Sequence, residues 1–170
     1  WGHLASQDWY DVIRRDFVAG NFVWTGFDYM GEPTPWNETW PKNLEFPRPK
    51  SSYFGIVDLA GFPKDRYYFY SSQWRKDMTT LHLLPEWSDR IKNDNENVVV
   101  YSNAPKVALY FTPQGSAERT LVAEQTKKEV KTEAGHTYLI TEGSTNHKDL
   151  YYRFTKPYEA SMLEAEAYDQ

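Results

Sequence analysis

The chain contains no cysteine. That excludes disulfides, thiol nucleophiles and cysteine-based metal sites. No apolar run approaches the ~18 residues that a membrane helix needs, and a mean hydropathy of −0.76 is polar overall. Basic clusters are also missing. Nineteen Lys and Arg against 24 Asp and Glu leave a net charge of −5, the wrong sign for gripping a phosphate backbone. The densest basic stretch, Lys127-Lys128-Glu129-Val130-Lys131, is broken by a glutamate and reads as the solvated face of a strand. The four histidines (His3, His82, His136 and His147) show no His-x3-His spacing and read as structural or surface residues. Neither metal nor cofactor is called for, and neither nucleic acid nor membrane is expected as a partner. The chain starts at Trp1 rather than at a methionine, which reads as the start of a fragment and leaves its compartment unread.

What the chain has in excess is aromatic residues: 7 Trp, 13 Tyr and 9 Phe, 17% of the total. Aromatic faces fill cores, and they also make flat platforms for sugar rings. Their distribution follows two textures. In the first, Trp9, Val12, Ile13 and Phe17 mark one face of a helix that Ser6 can cap and Gly20 can end. The run Asn21-Phe22-Val23-Trp24-Thr25 then reads as a short parallel strand buried on both faces. Residues 26–52 hold Gly26, Gly31, Pro33, Pro35, Pro41, Pro47 and Pro49, which forbid regular structure over any useful length. A loop of that size in a compact domain is usually functional, and this one carries Tyr29, Trp36, Trp40 and the acids Asp28, Glu32, Glu38 and Glu45. Phe54–Val57 reads as extended, Gly61-Phe62-Pro63 as a turn, and Tyr67, Tyr70 and Trp74 as a helix ending near Trp74.

From about Met78 short β-like runs alternate with turn residues: 81–84, 97–101, 107–111, 136–141, 150–154 and 162–168. Strict alternation in Val107/Leu109/Phe111 and Leu163/Ala165/Ala167 is the pattern of half-buried sandwich strands. The fold class expected is therefore α/β over residues 1–76 followed by an all-β sandwich over 77–170, divided near Lys76. Six runs, the last at the chain end, leave the sandwich one closing strand short.

A buried strand that opens directly into a Gly-Pro-aromatic-acid loop is how (β/α)8 barrels present their active sites. From the pattern alone Trp24 is either a core tryptophan or a residue poised over such a site. The run Phe22-Val23-Trp24-Thr25-Gly26-Phe27-Asp28-Tyr29-Met30-Gly31-Glu32-Pro33-Thr34-Pro35-Trp36 resembles the eighth strand and following loop of the β-galactosidases of glycoside hydrolase family 2. Ser51 to Tyr68 is similar to the lead-in of the barrel's last helix in the same enzymes. Leu81-His82-Leu83-Leu84-Pro85 and the later strands resemble, more loosely, the immunoglobulin-like domain that follows the barrel.

The resemblance implies a retaining β-glycosidase whose substrate is a carbohydrate, a terminal β-galactoside or similar neutral hexoside. It implies bacterial secretion or a periplasmic location, and the remainder of the glycosidase chain as partner. It also places Trp24 against the sugar, with Asp28, Tyr29 and Glu32 in the same loop as further substrate-binding candidates; an Asx-turn for Asp28 and a solvated loop acid for Glu32 remain as alternatives. Asp58 reads as the residue that fixes the turn before the last helix. Members of the β-glucuronidase type carry Asn-x-Lys just before the Gly-Ile step, the lysine meeting a uronate. Here Ser52 and Phe54 stand at those positions, so a uronate is not expected.

Retaining enzymes need two carboxylates about 5–5.5 Å apart. In this family they are glutamates on barrel strands four and seven, and the resemblance starts after both. The chain therefore has no catalytic residue of its own. Asn37-Glu38 and Asn95-Glu96 superficially match the acid/base dipeptide but fall in a loop and in a turn. Nor can 170 residues close a barrel, which takes about 250. The rival reading is a carbohydrate-binding or interaction module without catalytic ancestry, which explains the aromatics and the sandwich but not the blocks before residue 76.

Overall fold

The alternation that starts after Met78 resolves, in a computed structural model, into seven antiparallel strands; residues 4–33, 50–88, 97–142 and 146–169 are described. They are β1 (Leu81–Leu84), β2 (Asn97–Ser102), β3 (Lys106–Pro113), β4 (Thr120–Lys131), β5 (Thr137–Thr141), β6 (Tyr152–Thr155) and β7 (Ser161–Tyr168). One sheet has the order β1-β2-β6, the other β5-β4-β3-β7. Every second side chain of β2 and β6 turns inward, and Val98, Val100, Tyr152 and Phe154 meet Val107 and Leu109 of β3 in one core. The two sheets thus share a single apolar layer, each of its large side chains contributing roughly 1.5–3 kcal/mol. The Tyr152 hydroxyl is satisfied inside that layer by donating to the Ala104 carbonyl at 2.6 Å.

Two differences from the sequence reading have clear causes. Strand β4 adds a seventh strand to the six anticipated. Its twelve residues are exposed or half-buried except Lys127, so the strand lacks the apolar alternation by which its neighbours are recognised. Lys127 itself departs from the solvated strand face assigned to it: it is only 5% exposed.

The α-helices among the described residues are α1 (Ala5–Ile13) and α2 (Asp65–Trp74). Helix α2 ends where the aromatic spacing places its end. Trp74 stacks against Tyr70 at 4.5 Å and meets Trp9 of α1 edge-on at 5.7 Å. Ser6 does not cap α1. Leu4 holds that position without a side-chain cap, and Ser6, the second residue of the helix, is buried and hydrogen-bonded to His147 at 3.1 Å. The helix stops at Ile13, where Arg14 and Arg15 both close on Asp11 at 2.6 Å, and Phe17 lies beyond it, exposed.

The chain packs as two units, Trp1–Asn21 with Tyr68–Gln170, and Phe22–Tyr67. Residues 21–25, of which 22–25 belong to the second unit, form no strand. Among the described residues of that unit, only isolated bridging pairs occur: Phe27 with Val57 in parallel, and Met30 with Ser51 and Val57 with Pro63 antiparallel. A parallel strand needs neighbours on its edges and cover on both faces. Among the described residues only 51–57 offers an edge, and Phe22, Trp24, Phe27 and Met30 remain exposed.

Candidate functional site

The segment 24–33 is clasped to 50–57 by backbone hydrogen bonds. Ile56 donates to Thr25 at 3.0 Å, Val57 to Gly26 at 3.0 Å, Asp28 to Val57 at 2.8 Å and Ser52 to Tyr29 at 2.8 Å. Ser52, 1% exposed, also accepts from the Tyr29 amide through its hydroxyl at 3.1 Å. Gly55 is required by the closeness of this clasp: a Cβ there would lie 2.1 Å from the Asp28 nitrogen and 2.4 Å from the Phe27 carbonyl carbon. A glycine within a strand-like run commonly marks such a close approach.

Onto this frame the structure brings three of the four candidate residues together. The Tyr29 hydroxyl donates to the Glu32 carboxylate, and the Trp24 side chain lies near enough to the phenol to hold its pKa down in part. The three side chains form a row, indole to phenol to carboxylate, along one loop. The Glu32 carboxylate beside it is the largest reason that the Tyr29 phenol titrates above its usual range, followed by loss of water around it. Trp24 is 72% exposed, so it belongs to no core among the described residues. The Trp24–Thr25 peptide is cis. Glu32 is held at φ 43°, the only non-glycine left-handed residue among those described, just after Gly31 at φ 94°. A left-handed non-glycine costs on the order of 1–3 kcal/mol and persists where the surroundings over-determine it, a pattern concentrated at functional sites.

Asp28 is turned to a different task. Its carboxylate accepts from the Gly55 amide at 2.8 Å and pairs with Lys64 at 2.7 Å, and its side chain is 8% exposed. Lys64 also donates to the Tyr53 carbonyl at 3.3 Å. The cleft of about 290 Å³ beside this pair is lined by Tyr53, Gly55, Lys64, Asp65 and Arg66, and none of the four candidates lines it. Asp58 fixes its turn as expected, accepting from Ala60 and Phe62 at 2.9 and 2.8 Å. Phe54 contacts Tyr29, ring centres 6.4 Å apart, so the positions where a uronate-binding type carries Asn and Lys are used for packing the loop. Trp36, Trp40, Glu38, Glu45 and Glu96 lie outside the described residues.

Sequence reasoning missed Ser52, Gly55 and Lys64 as the holders of this loop. For Gly55 the signal was present, a glycine inside Phe54–Val57; for Lys64, ten residues after Phe54, it was not. Replacing Asp28 by Ala orphans the Gly55 amide and leaves Lys64 unpaired. A loss of about 2 kcal/mol is expected, since Lys64 is one-third exposed and partly screened. Asn, which keeps the acceptor for Gly55, should lose about half as much. Urea unfolding of the three proteins reads the difference; equal losses for Ala and Asn would show that the hydrogen bond to Gly55 contributes nothing.

No family model matches the chain. Over 146 residues, 85% of this chain, it is 40% identical to the β-galactosidase BoGH2A of Bacteroides ovatus, the match covering 16% of that protein. It is 38% identical over 111 residues to a putative β-glucuronidase of Formosa agariphila, covering 64% of this chain and 10% of that one. The crystal structure of a β-glycosidase from Bacteroides vulgatus superposes on 98% of the chain with a TM-score of 0.57 and 26% identity, using 17% of its own length. The chain thus spans between 10% and 17% of the length of these relatives. It is a homologue of the β-galactosidases and β-glucuronidases of glycoside hydrolase family 2, matched over a small part of their length.

Proposed function

We propose that this chain is the C-terminal part of a retaining exo-β-glycosidase that removes terminal β-galactose, or a similar neutral β-hexose, from oligo- and polysaccharides. In this reading residues 1–76 are the end of a (β/α)8 barrel and 77–170 an immunoglobulin-like sandwich. The observation that carries it is the Trp24–Tyr29–Glu32 row on a loop braced by Asp28, in a chain 40% identical to a β-galactosidase. The sheet orders β1-β2-β6 and β5-β4-β3-β7 suit a Greek-key sandwich. Use of Ser52 and Phe54 to pack Tyr29 favours a neutral sugar over a uronate.

The chemistry divides between this chain and the rest of the protein. Nucleophile and acid/base are glutamates outside this chain, and the residues here bind and orient. Trp24 offers its indole face to the sugar, and Tyr29 and Glu32 supply hydrogen-bonding groups to hydroxyls. An oxocarbenium-like transition state carries developing positive charge, and an aromatic face attracts it by up to ~2 kcal/mol when water is excluded. Only what is gained at the transition state accelerates the reaction.

Trp24→Ala in the intact protein is accordingly expected to lower kcat/KM on an aryl β-galactoside by roughly tenfold to a hundredfold, at ~1.4 kcal/mol per factor of ten. Its melting temperature should hold, whereas loss of a core tryptophan would cost ~3–5 kcal/mol. The 170-residue chain by itself should turn over no galactoside, and the intact protein should favour galactoside over glucuronide. A folded Trp24→Ala variant with unchanged kcat/KM, or a preference for the glucuronide, would refute the reading.

A further inference from the structure

Strand β4 buries a single residue, and that residue is charged. The ammonium of Lys127 donates to the carbonyls of Leu150 at 2.7 Å and Ser102 at 3.2 Å, and it lies 4.7 Å from the centre of the Tyr152 ring. All three partners are neutral, and no ion pair to Lys127 occurs among the described residues. Asp149, the acid nearest in effect, spends its carboxylate on the Asn146 amide at 2.6 Å.

Lys127 borders a cavity of about 150 Å³ whose other walls include Trp9 and Ile13 of α1, Gln73 of α2, Lys76 just beyond α2, and Tyr138 of β5. That volume is well above the ~10–15 Å³ that one water requires. Two lysines line it and no carboxylate does. The acid next to Lys76 in sequence is committed elsewhere: both Asp77 oxygens are gripped by Arg75 at 2.7 Å. The amide of Asn103 is likewise spent, on the carbonyls of Arg75 and Met78 at 2.9 and 2.8 Å. What remains on the lining is two lysines, set among Trp9, Ile13 and Leu139 and the polar Ser72, Gln73, Ser102 and Thr137; beside the buried Lys127 an opposite charge is attracted more strongly than in water.

The geometry points to a binding site for a small oxyanion, an inorganic phosphate or sulfate or a small carboxylate, held between Lys76 and Lys127. Burial, reinforced by the Lys76 charge and partly countered by Asp149, brings the Lys127 amine down to about 7. An anion beside it favours the charged form, so binding near pH 8 takes up a proton. The other titratable groups around the ammonium are the phenols of Tyr138 and Tyr152, and burial pushes both up, away from that range.

The site is independent of sugar hydrolysis, and its test needs no substrate. Inorganic phosphate is titrated into the intact protein at pH 8 and constant ionic strength while the thermal midpoint is followed. A saturable rise of a few degrees is expected, together with a calorimetric binding enthalpy that differs between buffers of unlike ionisation heat, its slope giving the proton uptake. Lys76→Met, a change at an exposed position, should abolish the rise, and because it also removes a like charge from beside Lys127 the midpoint in chloride should hold or increase slightly. Sulfate and acetate in parallel titrations separate a tetrahedral oxyanion from a carboxylate as the preferred occupant. A rise that climbs without saturation, that survives Lys76→Met, or that is absent for all three anions overturns the assignment.

Discussion

In a Lys127→Met variant, protein stability is expected to lose its dependence on pH between 7.5 and 9.5. In the folded chain burial lowers the Lys127 amine from 10.5 to about 7. Below pH 7 the side chain is charged in both states, and folding bears the full cost of burying that charge. Above pH 7 the folded chain releases the proton and the unfolded chain keeps it up to its own value. The unfolded state then binds more protons, so stability rises with pH by up to about 1.4 kcal/mol per unit. Across the two-unit window that amounts to roughly 2–3 kcal/mol.

The window is otherwise nearly empty. The chain has no cysteine, the buried Tyr152 phenol is raised above it, and only an α-amino group titrates near 7.7–8.0. Methionine keeps the length of the stem without the charge. The Leu150 carbonyl keeps a donor in Gln73 at 3.1 Å, so the loss of hydrogen bonding falls mainly on Ser102. Urea unfolding at pH 7.5, 8.5 and 9.5 in chloride measures both slopes. A flat wild-type profile, or a variant that retains the slope, would mean that Lys127 is not the titrating group.

How much of this was legible in the sequence depends on which faces the chain shows. The strands that carry the core, β2, β3, β6 and β7, announce themselves through an apolar face; Val107 and Leu109 are both fully buried, as the alternation requires, although Ala108 between them is buried as well. Helix α2 was readable for the same reason at a different period, its end at Trp74 included. Strand β4 was not, because its single buried position is a lysine whose amine is received by backbone carbonyls, information that exists only once Ser102 and Leu150 are brought to it.

The candidate site shows the same division. Residues 22–33 drew notice through their types and order, and the structure joins Trp24, Tyr29 and Glu32 in one row. Which of the loop's acids faces outward could not be read. Asp28 and Glu32 are both acids beside glycine or aromatic neighbours, yet one closes on Lys64, 36 residues away, and the other on Tyr29, three residues away. The strand expected at 21–25 draws on the same limit: five apolar-rich residues specify an extended tendency but not the neighbour that would pair with them.

Gly55→Ala and Gly26→Ala, two single-methyl changes in the same clasp, are expected to differ widely in stability. At Gly26 an added Cβ meets nothing within 4 Å. At Gly55 it would stand 2.1 Å from the Asp28 nitrogen, 2.4 Å from the Phe27 carbonyl carbon and 2.6 Å from the Val57 oxygen. All three are backbone atoms, so no side chain can swing aside and the two segments must separate. Separation breaks the Asp28–Val57 hydrogen bond at 2.8 Å and pulls the Gly55 amide from the Asp28 carboxylate. It also disturbs the partly buried Asp28–Lys64 pair. With about 1 kcal/mol for each hydrogen bond and 1–3 kcal/mol for the misfit itself, Gly55→Ala should cost about 3–5 kcal/mol, against less than about 0.5 kcal/mol for Gly26→Ala. The loop that carries Trp24, Tyr29 and Glu32 is anchored by the same contacts. On the proposed function, galactoside turnover by the intact protein should therefore fall with Gly55→Ala even below its melting temperature, and hold with Gly26→Ala. Equal melting temperatures for the two variants would show that the segments are not packed this closely, and that the row of Trp24, Tyr29 and Glu32 is braced by something other than the Gly55 clasp.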